Sequence, residues 1–110
     1  MNKSKISIAE DFSPYPAGRF PDDGKYNAAT FRTEVLMPAL TDNEYVEVTF
    51  DKVVGIGASF LDEAFGGLVR KEGMTKDFLG SHLRLTTSEP ELGAFVKLAQ
   101  RYIDEAQTEK

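Results

Sequence analysis

The sequence contains no cysteine, and His82 is its only histidine. The first absence excludes a disulfide framework, a thiol nucleophile and a thiolate zinc site, and one imidazole cannot form a histidine cluster. Cations are outnumbered. With 13 Lys and Arg against 18 Asp and Glu, the formal net charge is -5, the reverse of the concentrated basic face that a phosphate backbone attracts. No apolar run approaches the ~18 to 20 residues that cross a bilayer. Met1-Asn2-Lys3-Ser4-Lys5 leads into an alternating segment rather than a signal-peptide core. The chain shows no glycine-rich phosphate loop and no nucleophile paired with a base. These absences set the expectation of a soluble cytoplasmic protein without catalytic residues, metal or cofactor, whose partners include neither nucleic acid nor membrane.

What is present suffices for one domain. Of 110 residues, 41% are hydrophobic, with eight Phe and four Tyr to fill a core. Lys5-Ile6-Ser7-Ile8-Ala9 alternates as a half-buried strand does. From Ser13 to Asn27, three prolines and Asp22-Asp23-Gly24 mark a loop, with room for a short second strand around Gly18-Arg19-Phe20. Asn27 is placed to cap a helix through Ala28 to Leu36, which Pro38 ends or kinks. Tyr45-Val46-Glu47-Val48-Thr49-Phe50 is the clearest strand, and the helix-length segment before it implies a parallel crossover. A second helix is predicted from Ser59 to about Lys71, stopped by Gly73. Met74 to Gly80 has room for one helical turn before a last strand over Leu83 to Thr87. Ser88 and Glu91 have capping-box spacing, with Pro90 in the first turn. The helix they open puts Leu92, Phe95, Val96, Ala99, Tyr102, Ile103 and Ala106 on one face. The expected fold is α/β: a single mixed or mostly parallel sheet of about four strands covered by three helices.

The Ser59 helix holds the informative residues. At about 100° per residue, Phe60, Leu61, Ala64, Phe65, Leu68 and Val69 face the core, and Ser59, Glu63, Gly66 and Arg70 face away. Gly66 and Gly67 each cost a helix about 1 kcal/mol relative to alanine, which close approach of a partner or a second copy would offset. Ser59 with Asp62 reads either as a capping box or as a phosphorylatable position. Arg19, Asp22 and Asp23 read as a small polar loop site or a loop-ordering ion pair. Asp62 and Glu63 point about 100° apart, which argues against a shared metal or acid/base site that includes Asp51.

Ile6-Ser7-Ile8 followed by Asp11-Phe12-Ser13, Gly18-Arg19, Asp23-Gly24, Phe31-Arg32 and above all Ser59-Phe60-Leu61-Asp62-Glu63-Ala64-Phe65-Gly66-Gly67-Leu68 resemble the bacterial STAS-like domain family. That family is related to anti-sigma-factor antagonists of the STAS fold. The resemblance implies a regulatory, non-enzymatic domain that docks a protein through Ser59, Asp62, Glu63, Gly66, Gly67 and Arg70. By the same resemblance, Ser59 is the phosphoacceptor and the partner is a histidine-kinase-like ATPase or an anti-sigma-type switch protein. Antagonists commonly read Asp-Ser-Ser-Gly where this chain reads Gly57-Ala58-Ser59-Phe60. A homo-oligomerising structural subunit and a small-ligand or anion binder using Arg19, Asp23 and Ser59 are the alternatives.

Overall fold

The computed structural model describes residues 2–108. Three strands, β1 (Lys3–Ser7), β2 (Tyr45–Thr49) and β3 (Leu83–Thr86), form one parallel sheet in the order β1-β2-β3. Register aligns Ile6 with Val48 and Leu85, and Lys5 with Glu47 and Arg84. Successive residues in a strand point to opposite faces, so the first row enters the core and the second makes a charged row on the other face. Lys3, Lys5 and Arg84 are accordingly exposed, whereas Ile6, Val46, Val48 and Leu83 are buried.

Among the described residues the strand count is three rather than about four, because Gly18-Arg19-Phe20 is not a strand. Its amides serve a turn instead. Asp23 Oδ2 accepts hydrogen bonds from both Arg19 N and Phe20 N at 3.0 Å, closing the chain over the one-turn helix Pro21–Asp23. Gly18 has φ +90°, and an added Cβ would lie 2.5 Å from Asp23 Cβ, so the tight approach requires glycine. β1 also stops earlier than its alternation implies. Ser7 Oγ accepts from Glu10 N at 3.0 Å and Asp11 Oδ2 accepts from Ser7 N at 2.7 Å, which turns Ile8–Asp11 into a helical turn, α1.

Among the described residues, five α-helical segments replace the expected three. Asn27 caps α2 (28–42) as predicted, its Oδ1 accepting from Thr30 N at 2.9 Å. Pro38 neither ends nor breaks this helix, because a π turn at Arg32–Leu36 precedes it. The wider turn gives the proline ring the room that an α turn denies. α3 (58–70) has a π turn of its own at Asp62–Gly66. Gly73, at φ +72°, follows its end. The ambiguous stretch after it becomes α4 (Lys76–His82), capped by Thr75 Oγ1 on Phe78 N at 3.0 Å. α5 (Gly93–Glu105) buries Ala99 and Ile103 along its expected face, with Leu92 and Ala106 buried at its two caps. Its capping box does not form, because the Ser88 hydroxyl donates to Asp51 and a 3₁₀ turn, Pro90–Leu92, starts the helix.

The core lies where α2 and α3 meet the sheet. Phe31, Phe50, Phe60 and Phe65 are fully buried. Ring centroids stand 5.8 Å apart for Phe31 and Phe60 and 6.0 Å for Phe50 and Phe65. Such aromatic pairs add about 0.5–1.5 kcal/mol beyond the area they bury. This core fixes α3, and with it the position of Ser59, against the sheet. Among the described residues, no helix is long and apolar enough to cross a membrane.

Candidate functional site

α3 begins with Gly57, not Ser59, as its N-cap. Gly57 is extended, at φ -98° and ψ 162°, and its carbonyl accepts from Leu61 N at 3.1 Å. Ser59 is therefore already inside the helix, two residues past the cap, and the predicted Ser59–Asp62 capping box does not form. Its exposed hydroxyl lines a cleft of about 340 Å³ with Asp62, Arg19, Arg70, Tyr102 and Glu105.

Asp62 faces two guanidinium groups. Arg19 Nη1 donates to its Oδ2 at 2.9 Å and Arg70 Nη1 to its Oδ1 at 3.0 Å. Arg19 Nη1 also lies 3.7 Å from Glu63 Oε1, so one loop side chain brings together two carboxylates that helical spacing had set apart. Glu63 itself is only 3% exposed. Arg32, reaching across from the π turn of α2, donates to Glu63 Oε2 at 2.9 Å and to Glu72 Oε2 at 2.9 Å, and Lys71 Nζ stands 3.5 Å from Glu63. Burying one of these charges without its partner would cost several kcal/mol, on the order of 3–5, which the pairing avoids.

The two π turns explain why Arg32 fits. In α3 the Gly67 amide bonds Asp62 O, five residues back, so it does not serve the Glu63 carbonyl as it would in an α-helix. Arg32 Nη1 takes that carbonyl instead, at 2.6 Å. Arg70 Nη2 likewise donates to Asp62 O at 2.9 Å. Among the described residues, no buried side-chain nitrogen or oxygen lacks a hydrogen-bond partner.

The glycines belong to this arrangement. A methyl group at Gly67 would collide with Arg32 Nη1 and lie 3.1 Å from its Cζ, and one at Gly66 would lie 2.7 Å from Arg70 Nη1. Both glycines are buried, so the expectation that Glu63 and Gly66 face outward with Ser59 and Arg70 is corrected for those two residues. An internal arginine, not another chain, makes the close approach. Ser59 is exposed, and Asp62 and Arg70 are partly so. The Arg19 guanidinium does not pair with Asp23. Asp23 holds backbone amides, while the Arg19 guanidinium joins the α3 site.

Arg32, Lys71 and Glu72 escaped the sequence reading. The available signal was an arginine beside Phe31 and on the same side of its helix as Ala28 and Leu36, four residues to either side. Asp51 stands apart from Asp62 and Glu63, as their divergent helical positions imply. It accepts from the Ser88 and Thr87 hydroxyls and from Ser88 N, each at 2.7 Å, and these bonds, the Ser88 hydroxyl first, lower its pKa to about 2. Lys52, at φ +71°, then turns its amide to Glu89 Oε2 at 2.6 Å.

The exposed large hydrophobic side chains lie in two loops. Tyr15 (64% exposed), Phe20 and Tyr26 lie in the loop before α2, and Val54 (66%) in the loop before α3. Val54 N and Gly55 N both donate to Pro14 O, at 2.8 and 3.3 Å, which holds these loops together.

The match of a family model, described as a STAS-like domain of unknown function (DUF4325), covers residues 27–91. The chain belongs to that family. The matched part of this STAS-like domain runs from the α2 cap to the turn before α5, and so includes β2, β3, Arg32 and the whole of α3. β1, the Arg19 loop and the whole of α5 lie outside it. No curated protein and no solved structure matches the chain.

Proposed function

We propose that this STAS-like domain is a regulatory protein-interaction module, without catalysis of its own, that docks a partner around the start of α3. The observation that carries this reading is the Ser59 hydroxyl. It is exposed, makes no capping bond, and stands in a cleft beside two loops that display Tyr15 and Val54. Exposed aromatic side chains together with arginine are enriched in protein interfaces relative to the rest of a surface. Ser59, Asp62 and Arg70 form the accessible part of the docking site, and Glu63, Gly66 and Gly67 its rigid support. Ser59 is the position for a phosphoserine switch. The partner implied by the resemblance to antagonists is a histidine-kinase-like ATPase or an anti-sigma-type switch protein.

The homo-oligomer reading drew on Gly66 and Gly67, and Arg70 and Arg32 cover both from within the chain. The docking reading is tested with a photo-reactive residue placed in cells at position 59, 54 or 97. Lys97 is exposed on α5, outside the cleft. Adducts to one heterologous protein from 59 and 54, with none from 97, are expected. Adducts of equal yield at all three positions, or none at 59, would remove the support for this surface.

A further inference from the structure

We infer that Arg19 is the group that senses charge placed on Ser59, and that it couples this position to the loop before α2. The inference rests on Ser59 as a switch position and adds the device that transmits the switch. Ser59 and Asp62 are three residues apart on α3, so their side chains share a side of the helix one turn apart. Arg19 and Arg70 line the same cleft, and both now bond the Asp62 carboxylate.

Modification transfers a phosphoryl group from a nucleoside triphosphate held by a separate kinase. Ser59 Oγ gains the new P–O bond, the hydroxyl proton passes to a base on the kinase, and the P–O bond to the departing nucleoside diphosphate breaks. The product carries a charge of about -2 at neutral pH, twice that of Asp62. A guanidinium fork matches phosphate oxygens and gains more from the dianion than from a carboxylate. The choice of arginine follows from burial. The Arg19 side chain is 37% exposed, so it can swing from Asp62 without stranding a buried charge, whereas Arg32, at 5%, cannot leave Glu63. Asp62 keeps Arg70 when Arg19 leaves.

Movement of Arg19 pulls on its loop. The adjacent Phe20 ring lies under Lys71 Nζ at 5.0 Å, and the Arg19 carbonyl accepts from Ala29 N at 2.9 Å. Capture of Arg19 by the phosphate therefore disturbs the tie between this aromatic loop, α3 and the first turn of α2. The loop displays Tyr15, so charge on Ser59 changes the apolar part of the surface as well as the polar part.

The test uses the full chain with phosphoserine incorporated at position 59, titrated by phosphorus NMR. Capture by Arg19 lowers the second phosphate pKa below its usual value of about 6. Arg19→Gln should return it to about 6 or above, and Arg70→Gln should leave it low. A phosphate pKa above about 6 without either substitution would show that Asp62 and Glu63 dominate, and would overturn the inference. A depression that survives Arg19→Gln would overturn it too. Amide exchange at Arg19, Phe20 and Ala29 should quicken on phosphorylation, and unchanged exchange would break the link to the loop. These readouts involve no partner, so a latch that fails here leaves the crosslinking test of docking intact, and the reverse also holds.

Discussion

Asp62 and Glu63 are neighbours in sequence, each paired with arginine, yet they occupy opposite physical regimes. Glu63 sits at 3% exposure against Arg32, fixed by two π turns, while Asp62 stands at the cleft between two guanidiniums that water can reach. Removing one partner of the first pair strands a charge in the interior, whereas the second pair exchanges protein contacts for water at little cost. One layer of the site is structure, and the layer beside it is free to respond.

The sharpest way to break the inner layer is Arg32→Ala. It should destabilise the domain by about 3–5 kcal/mol because Glu63 is left uncompensated. The double variant Arg32→Met with Glu63→Leu should recover part of that loss, since it removes the stranded charge but leaves the carbonyl of residue 63 without the Arg32 donor. Chemical denaturation of wild type, single and double variants checks both statements. A single variant that unfolds like wild type would place Arg32 outside the interior.

The glycines give the same contrast at smaller scale. Gly67→Ala forces a methyl group into the buried Arg32 guanidinium and should cost about 1–3 kcal/mol as an overpacked site. Gly66→Ala meets the end of Arg70, which can swing aside. Its gain in helix propensity, about 1 kcal/mol, offsets the loss of a partly exposed pair worth about 0.2–1 kcal/mol. Melting temperatures of the two variants should therefore separate, with Gly66→Ala near wild type. Equal losses would contradict the two-layer description.

Arg19→Gln should change stability by less than about 1 kcal/mol, the range of exposed ion pairs. A larger loss in denaturation would move Arg19 into the structural layer. The last prediction concerns a third carboxylate. The pKa of Asp51 falls from 3.8 to about 2, so its charged form favours the folded state. That contribution is complete above about pH 4 and is lost as pH falls toward 2. The difference in melting temperature between wild type and Asp51→Asn should be constant at higher pH and shrink below about pH 4. A difference that does not vary with acid would mean that Ser88 and Thr87 do not favour the charge.

Elements with a local cause were legible in the sequence. Tyr45 to Thr49 follows from β-branched and aromatic residues on alternate faces, Asn27 from an amide acceptor at a helix start, and α5 from its apolar stripe. Ser59 and Ser88 misled because a serine three residues before an acid suits a cap wherever the backbone enters the helix. Gly57 can enter in an extended conformation without any side-chain bond, and Ser88 had a stronger acceptor in Asp51. The polar site was only partly legible for a different reason. Its charges come from a loop, two helices and the turn after α3, and a π turn adds a residue that ordinary helical spacing does not count. Periodicity therefore put Glu63 and Gly66 outside, where Arg32 and Arg70 in fact cover them.

The all-parallel sheet has a consequence for how the chain is made. Lys3 pairs with Tyr45 and Val46 with Leu83, so no hairpin can start the sheet and each pairing closes a loop on the order of 40 residues. Such non-local closure slows folding relative to a helical bundle of the same size. During synthesis β1 is complete long before β2 exists, and it waits as an unpaired strand. Its two lysines, pointing to the side that stays polar in the finished sheet, give that waiting strand a charge that discourages pairing with the wrong chain.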